Sequence, residues 1–292
     1  MPGRRLPPES EFAGGRYDRP DFARRRAVLR ETLDTFEADG PRLRAVARAN
    51  LERWQHDAPP ATGPELLVLP GDWGDVAGAL TRARGAMFAV VNMANANVPG
   101  GAYVVGAAAQ EENLFRRTDC HFSILDEHIS RDRRYTGEMT ALLSARDGRV
   151  YLDVDHPRTC IRGSEDRSRP DLGYRWLPDD EIFPFIELRA AAQDLRDGST
   201  FDETETRRRI AAQLDTLTEA GVRHAVLSAF GCGAFANPPE PVAAIYRDEL
   251  RVRRSDFDCV AFAIFHPGYG PDNHPVFHRI LVGAVGQGGL ST

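Results

Sequence analysis

The sequence predicts a three-layer α/β domain, with helices covering both faces of a parallel or mixed sheet. Three observations carry that prediction. Strand-like and helix-like segments alternate along the chain, the strand-like runs are continuously apolar, and two of them run straight into glycine loops. A one-sided strand alternates apolar with polar residues, whereas a strand buried on both faces reads as an unbroken apolar run.

Taken in order, the first stretch mixes Glu9, Glu11 and Asp18 with arginines and lacks the apolar core of a signal peptide, so it reads as a loose arm. Residues 20–37 then place Phe22, Leu29, Leu33 and Phe36 on one face of an amphipathic helix. Six β-rich runs follow: "ELLVLP" at 65–70, "AMFAVVNMA" at 86–94, "VYLDV" at 150–154, "FPFIEL" at 183–188, "HAVLSAF" at 224–230 and "CVAFAIF" at 259–265. Between them, "TETRRRIAAQLDTLTEAG" carries Ile210, Leu214 and Leu217 at helical spacing, with Gly221 as the stop. In "NPPEPVAAIYRDEL", Asn237 is placed to cap a helix and Pro239 suits its first turn. The Arg/Asp/Pro-rich stretch 155–182 reads as a long surface loop. No internal repeat or low-complexity tract interrupts the chain, so a single domain is expected: an arm and helical extension over 1–60, packing on a core over 61–292.

Composition narrows the function. With 292 residues, 42% hydrophobic and 27% charged, the chain has enough apolar content for a sizeable core. A formal charge of −6 argues against a broad basic surface for nucleic acid, which needs many cationic phosphate contacts. The chain has no lysine, so all 37 basic residues are arginine. That excludes a lysine Schiff base and a lysine-bearing phosphate loop, and leaves arginine or backbone amides to hold any phosphate. Cys120, Cys160, Cys232 and Cys259 lack zinc-site spacing and read as reduced thiols, and no apolar run approaches the roughly 18–20 residues of a membrane helix. A soluble, cytoplasmic protein is expected.

The chemistry points to the two glycine loops. "VVNMANANVPGGAYVVGAAAQEE" and "SAFGCGAFANPPEPVA" each follow an apolar strand and precede a helix. In an open α/β sheet such loops gather at the carboxyl edge of the strands, where ligands bind. Glycines let backbone amides approach an anion closely, and the helix terminus adds partial positive charge, which makes a phosphate cradle without lysine. The alternative is that both loops are plain turns. Phe235, between Gly233 and Asn237, can present an aromatic face to a ligand or fill the core.

Glu111 and Glu112 stand on the first turn of a helix expected to begin near Ala107, where acids favour the helix dipole. A carboxyl beside a diphosphate and apolar groups also gains the raised pKa of a proton donor for glycoside cleavage. His121 and His128 lack a third ligand, so no metal or cofactor is expected. Asp72 fits a helix cap, and the arginines of 162–175 fit either a solvated face or a surface that steers anions.

The first stretch resembles the signature of the bacterial-type poly(ADP-ribose) glycohydrolase family: an Asn-bearing strand end, a Gly-Gly-Gly loop, a spacer and Gln-Glu-Glu. The second resembles that family's other phosphate loop, and the similarity runs from the N-terminal helix to about Phe277. The resemblance implies a macrodomain-like α/β/α sandwich with an N-terminal helical extension, and a glycosidase that binds ADP-ribose and needs no metal. On matching positions, Glu112 is the catalytic acid/base, while Glu111 and Asn95 hold the distal ribose. Gln110 and Ala102 fall among the ligand-binding positions; Gly100, Gly101, Gly231, Cys232, Gly233 and Ala234 line the diphosphate, and Phe235 packs on sugar and diphosphate. Ala102 replaces the third glycine, Asn92 stands where some members carry an acid, and Val105 stands where simpler macrodomain hydrolases have an aspartate.

The expected activity is hydrolysis of the anomeric bond of ADP-ribose in poly(ADP-ribose) or an ADP-ribosylated protein. The alternatives are a mono-ADP-ribosyl-arginine hydrolase without polymer activity, a non-catalytic ADP-ribose reader, and a structural macrodomain whose loops are only turns. The partners expected are ADP-ribose or an ADP-ribosylated chain, with no direct nucleic-acid or membrane contact.

Overall fold

The structure, a computed structural model, describes residues 6–60, 63–268 and 270–283. The outermost parts of the expected arm and core, 1–5 and 284–292, lie outside the described residues, as do 61–62 and Tyr269. The elements are α1 (Pro20–Asp57), β1 (Glu65–Pro70), α2 (Trp73–Arg84), β2 (Ala89–Met93), α3 (Gln110–Arg117), α4 (Gly137–Leu143) and β3 (Tyr151–Cys160). After them come β4 (Phe183–Ala190), α5 (Glu203–Glu219), β5 (His224–Leu227), α6 (Pro239–Val252), β6 (Cys259–Ile264) and α7 (His274–Leu281).

The six strands form one sheet in the order β1-β6-β5-β2-β4-β3. Every neighbouring pair is parallel except β3 with β4, so the sheet is mixed, as the sequence predicts. Successive strand residues supply opposite faces. On β2, Ala89 and Val91 join Ile210, Leu214 and Leu217 of α5, with Val242 and Tyr246 of α6 and Phe277 of α7. Val90 points the other way, to Leu29 and Leu33 of α1, Trp73 and Ala77 of α2, and Leu114 and Phe115 of α3. Two such cores make the three layers. None of the described helices is long and apolar enough to cross a membrane.

The first helix runs well past the expected residue 37, to Asp57, with a break at Asp39 (φ −138°, ψ 15°) two residues before Pro41. Proline lacks an amide donor and its ring collides with the preceding turn, which accounts for the kink. The reading of 155–182 as a surface loop is corrected. Residues to Cys160 extend β3 along β4, and beyond them Arg162 bridges Trp176 and Glu165 bridges Gly173. The segment is rich in charge, yet Arg158, Arg162, Glu165 and Tyr174 are buried. They find partners far away in sequence: Glu187 for Arg158, Glu31 for Arg162 and Arg25 for Glu165. A charged segment can leave water only when such partners are supplied.

Candidate active site

The carboxyl ends of β2, β5 and β6 open onto a cleft of about 490 Å³, lined by both glycine loops, the start of α3 and the chain after β6. This is where an open α/β sheet collects its ligands. The start of α3 is set by Gln110, not Ala107. Gln110 Nε2 donates to the Val91 carbonyl (2.7 Å), and its Oε1 accepts from the Met93 amide (2.9 Å). Both ends of this side chain are therefore engaged by β2, and the helix is stapled to the strand whose loop it must face.

The two glutamates of that first turn fold back onto the loop. Glu111 Oε2 accepts the Asn95 amide at 2.8 Å, and Glu112 Oε1 accepts the Ala102 amide at 2.9 Å. The second oxygen of each, Glu111 Oε1 and Glu112 Oε2, is buried without a hydrogen-bond partner, although both residues line the cleft. Gly101 makes this approach possible. Its φ is +59°, and a Cβ there would stand 2.5 Å from Glu112 Oε1 and 2.8 Å from Glu111 Oε2. Asn95 shapes the turn itself, since its Oδ1 accepts the amides of Asn97 and Val98, each at 2.9 Å.

The neighbouring positions divide the work. Gly100 is buried and is not among the residues that line the cleft, and the rings of Tyr103 and Phe115 occupy the space a Cβ there would need. Ala102 has φ −103°, so its backbone makes no demand for glycine, and its amide is the one that holds Glu112. The departure from the family's third glycine thus leaves the path of the loop unstrained.

The second loop is held from within by Asn237. The expectation that Asn237 caps α6 is corrected: Pro238 is the cap residue, and Pro239 opens the helix. Asn237 Nδ2 instead donates to the Gln193 carbonyl (2.7 Å) and the Gly231 carbonyl (3.1 Å), and the Asn237 amide donates to Gly231 O (3.0 Å). Gly231, at φ +74°, lets Ala192 and Asn237 close in to where a Cβ would stand. Cys232, Gly233, Ala234 and Phe235 all line the cleft, and Phe235 is half-buried between the core and the opening.

Beneath the pair lies a buried ionic network that sequence reasoning missed. Glu187 and Arg189 on β4 are fully buried, with Arg189 Nε and Nη2 each donating to the Glu187 carboxylate at 2.9 Å. Arg158 Nε (3.2 Å) and Asn92 Nδ2 (2.8 Å) also donate to Glu187. Burial pushes the Glu187 carboxyl up, but Arg189 and Arg158 outweigh it and hold the group down at about 2. Glu111 goes the other way. Burial, and then repulsion from Glu112, raise it well above the usual carboxylate range, against the opposing pull of the Asn95 amide and Arg189. The only sequence signal for the network was two charges inside the apolar run "FPFIELRA".

Of the other candidates, Asp72 is a helix cap: its Oδ1 accepts the Gly74 amide at 2.8 Å and pairs with buried Arg117. It also lines the cleft. His121 Nδ1 shares a hydrogen bond with the Tyr103 hydroxyl at 2.9 Å. Among the described residues, no three His, Cys, Asp or Glu side chains converge as a metal site.

Residues 43–143 match the family model of the microbial-type PARG catalytic domain. No curated protein matches the chain. Among solved structures, the poly(ADP-ribose) glycohydrolase (PARG) of Thermomonospora curvata aligns with a TM-score of 0.61 and 24% identity, over 88% of this chain and 98% of that one. Its complex with the inhibitor ADP-HPD aligns with a TM-score of 0.61 and 24% identity, over 88% and 99% of the two chains. The PARG of Deinococcus radiodurans in complex with ADP-ribose gives a TM-score of 0.53 and 24% identity, over 81% and 90%. The chain thus has the fold of bacterial poly(ADP-ribose) glycohydrolases, and its first glycine loop and glutamate pair lie in the segment that matches the microbial-type PARG catalytic domain.

Proposed function

We propose that the protein is an ADP-ribosyl glycohydrolase that cleaves the bond at the anomeric carbon of the distal ribose. One observation carries the reading. Two buried glutamates each have one oxygen held by an amide of the first glycine loop, and each keeps a second, unpartnered oxygen beside the cleft.

In this reading the loop residues Gly101, Ala102, Gly231, Cys232, Gly233 and Ala234 cradle the diphosphate, and Phe235 packs on the sugar. Asn95 and Glu111 orient the distal ribose, and Glu112 works on the bond. Glu112 protonates the departing oxygen or nitrogen as the anomeric carbon gains oxocarbenium character, then takes a proton from the attacking water. Burial, and after it the repulsion of Glu112, keeps a proton on Glu111 at pH values where ordinary carboxyls have lost it. The bound diphosphate places negative charge near the developing cation, so substrate binding contributes to the rate. Substrates are ADP-ribose polymers or ADP-ribosylated side chains, met in the cytoplasm.

The test is ADP-ribose release from polymer and from arginine-, serine- and glutamate-linked substrates, by wild type and Glu112→Gln. Loss of release with retained ADP-ribose binding is expected. Equal turnover by the variant refutes the mechanism, and binding without turnover by wild type makes the protein a reader.

A further inference from the structure

Two arginines, Arg167 and Arg196, line the cleft, and each lies against one of its aromatic rings. The Arg167 guanidinium is 5.8 Å from the centre of Phe265, and that of Arg196 is 4.9 Å from the centre of Phe235. Arg196 lines the same cleft as the glutamate pair, and Asp194 first, with Glu112 after it, strengthens its hold on its proton. Its position is built. The segment after β4 docks on the second glycine loop, where the Leu195 amide donates to Phe235 O (3.1 Å) and Asn237 Nδ2 donates to Gln193 O (2.7 Å).

Arg196 Nε and Nη2 donate to the Asp194 carboxylate at 2.7 and 2.5 Å, while Nη1 makes no hydrogen bond among the described residues. We propose that Arg196 is a substrate-contacting residue whose guanidinium binds an oxygen of the ligand's diphosphate, with Asp194 as the internal anion that holds it in the meantime. The inference rests on the ADP-ribosyl reading of the cleft. Glycine-loop amides offer dipoles to a diphosphate but no full charge, and a chain without lysine must find that charge in arginine. A guanidinium presents a planar fork of donors suited to phosphate, and the Phe235 face beneath it keeps that fork in place.

Because Asp194 competes with the ligand, the two residues have opposite predicted effects. Calorimetry with ADP-ribose and with adenosine, at low and high salt, reads both. Arg196→Gln is expected to weaken ADP-ribose binding about ten-fold and flatten its salt dependence, with adenosine binding unchanged. Asp194→Asn is expected to tighten ADP-ribose binding, and to lose that gain in the Arg196→Gln background. The proposal is overturned if Arg196→Gln binds ADP-ribose like wild type, if it loses adenosine and ADP-ribose equally, or if Asp194→Asn weakens binding. A wild type that fails to bind ADP-ribose removes the glycohydrolase reading and this inference together; a wild type that binds, with an indifferent Arg196→Gln, removes the inference alone.

Discussion

Replacing Gly101 with alanine tests the whole geometry of the site with one methyl group. At φ +59° the added Cβ costs about 1–2 kcal/mol of backbone strain. It also stands 2.5 Å from Glu112 Oε1 and 2.8 Å from Glu111 Oε2. Ordinary contact begins near about 3.4 Å, so the first oxygen must retreat by roughly 0.9 Å and the second by roughly 0.6 Å. Neither can do so freely, because Glu112 is tied to the Ala102 amide and Glu111 to the Asn95 amide. A displacement near 1 Å at reacting groups costs on the order of 100-fold in rate. The expected result is therefore a melting temperature lower by only a few degrees and ADP-ribose release slower by about 100-fold. Thermal denaturation and single-turnover release measure the two. Ala102→Gly is the control: at φ −103° the alanine is unstrained, so the change costs at most about 1 kcal/mol and leaves release nearly intact. A Gly101→Ala protein that turns over at the wild-type rate would sink the proposed placement of the glutamates.

Other outcomes follow from the same contacts. Glu111 is held above its unfolded pKa, so its stabilising contribution is full below the unfolded value and is lost as pH rises through the folded one. Compared with wild type, Glu111→Gln should gain relative stability as pH rises across that window, which melting curves over a pH series will check. Asp72→Ala removes a helix cap and the nearest partner of buried Arg117, an expected loss of about 3 kcal/mol in urea denaturation. Glu187→Ala leaves Arg189 and Arg158 buried beside an emptied site and should lower stability by roughly 3–5 kcal/mol. Asn237→Ala deletes the bonds that hold the second loop, so ADP-ribose affinity should fall along with about 1–3 kcal/mol of stability.

What the sequence determined by itself was the local framework. All six strands appear where their apolar runs lie, and in β2, β5 and β6 burial on both faces leaves a hydrophobic signature that any neighbour order preserves. Gly221 and Pro239 marked helix limits for the same local reason, since backbone freedom and a missing amide act within a single turn. The two glycine loops and Glu111–Glu112 were legible as a candidate site, and the structure brings residues of all of them to one cleft. What only the tertiary structure decided were the pairings between distant charges. Glu165 and Arg162 looked like parts of a wet loop until α1 brought Arg25 and Glu31 to them. Glu187 and Arg189 passed unremarked in the run of β4, and only the fold shows Arg158 and Asn92 completing their network. Asn237 looked like a cap until Gln193, 44 positions away, turned it into a staple. A polar side chain does not carry its burial in its own chemistry; the partner that the fold delivers decides whether it faces water or is held inside.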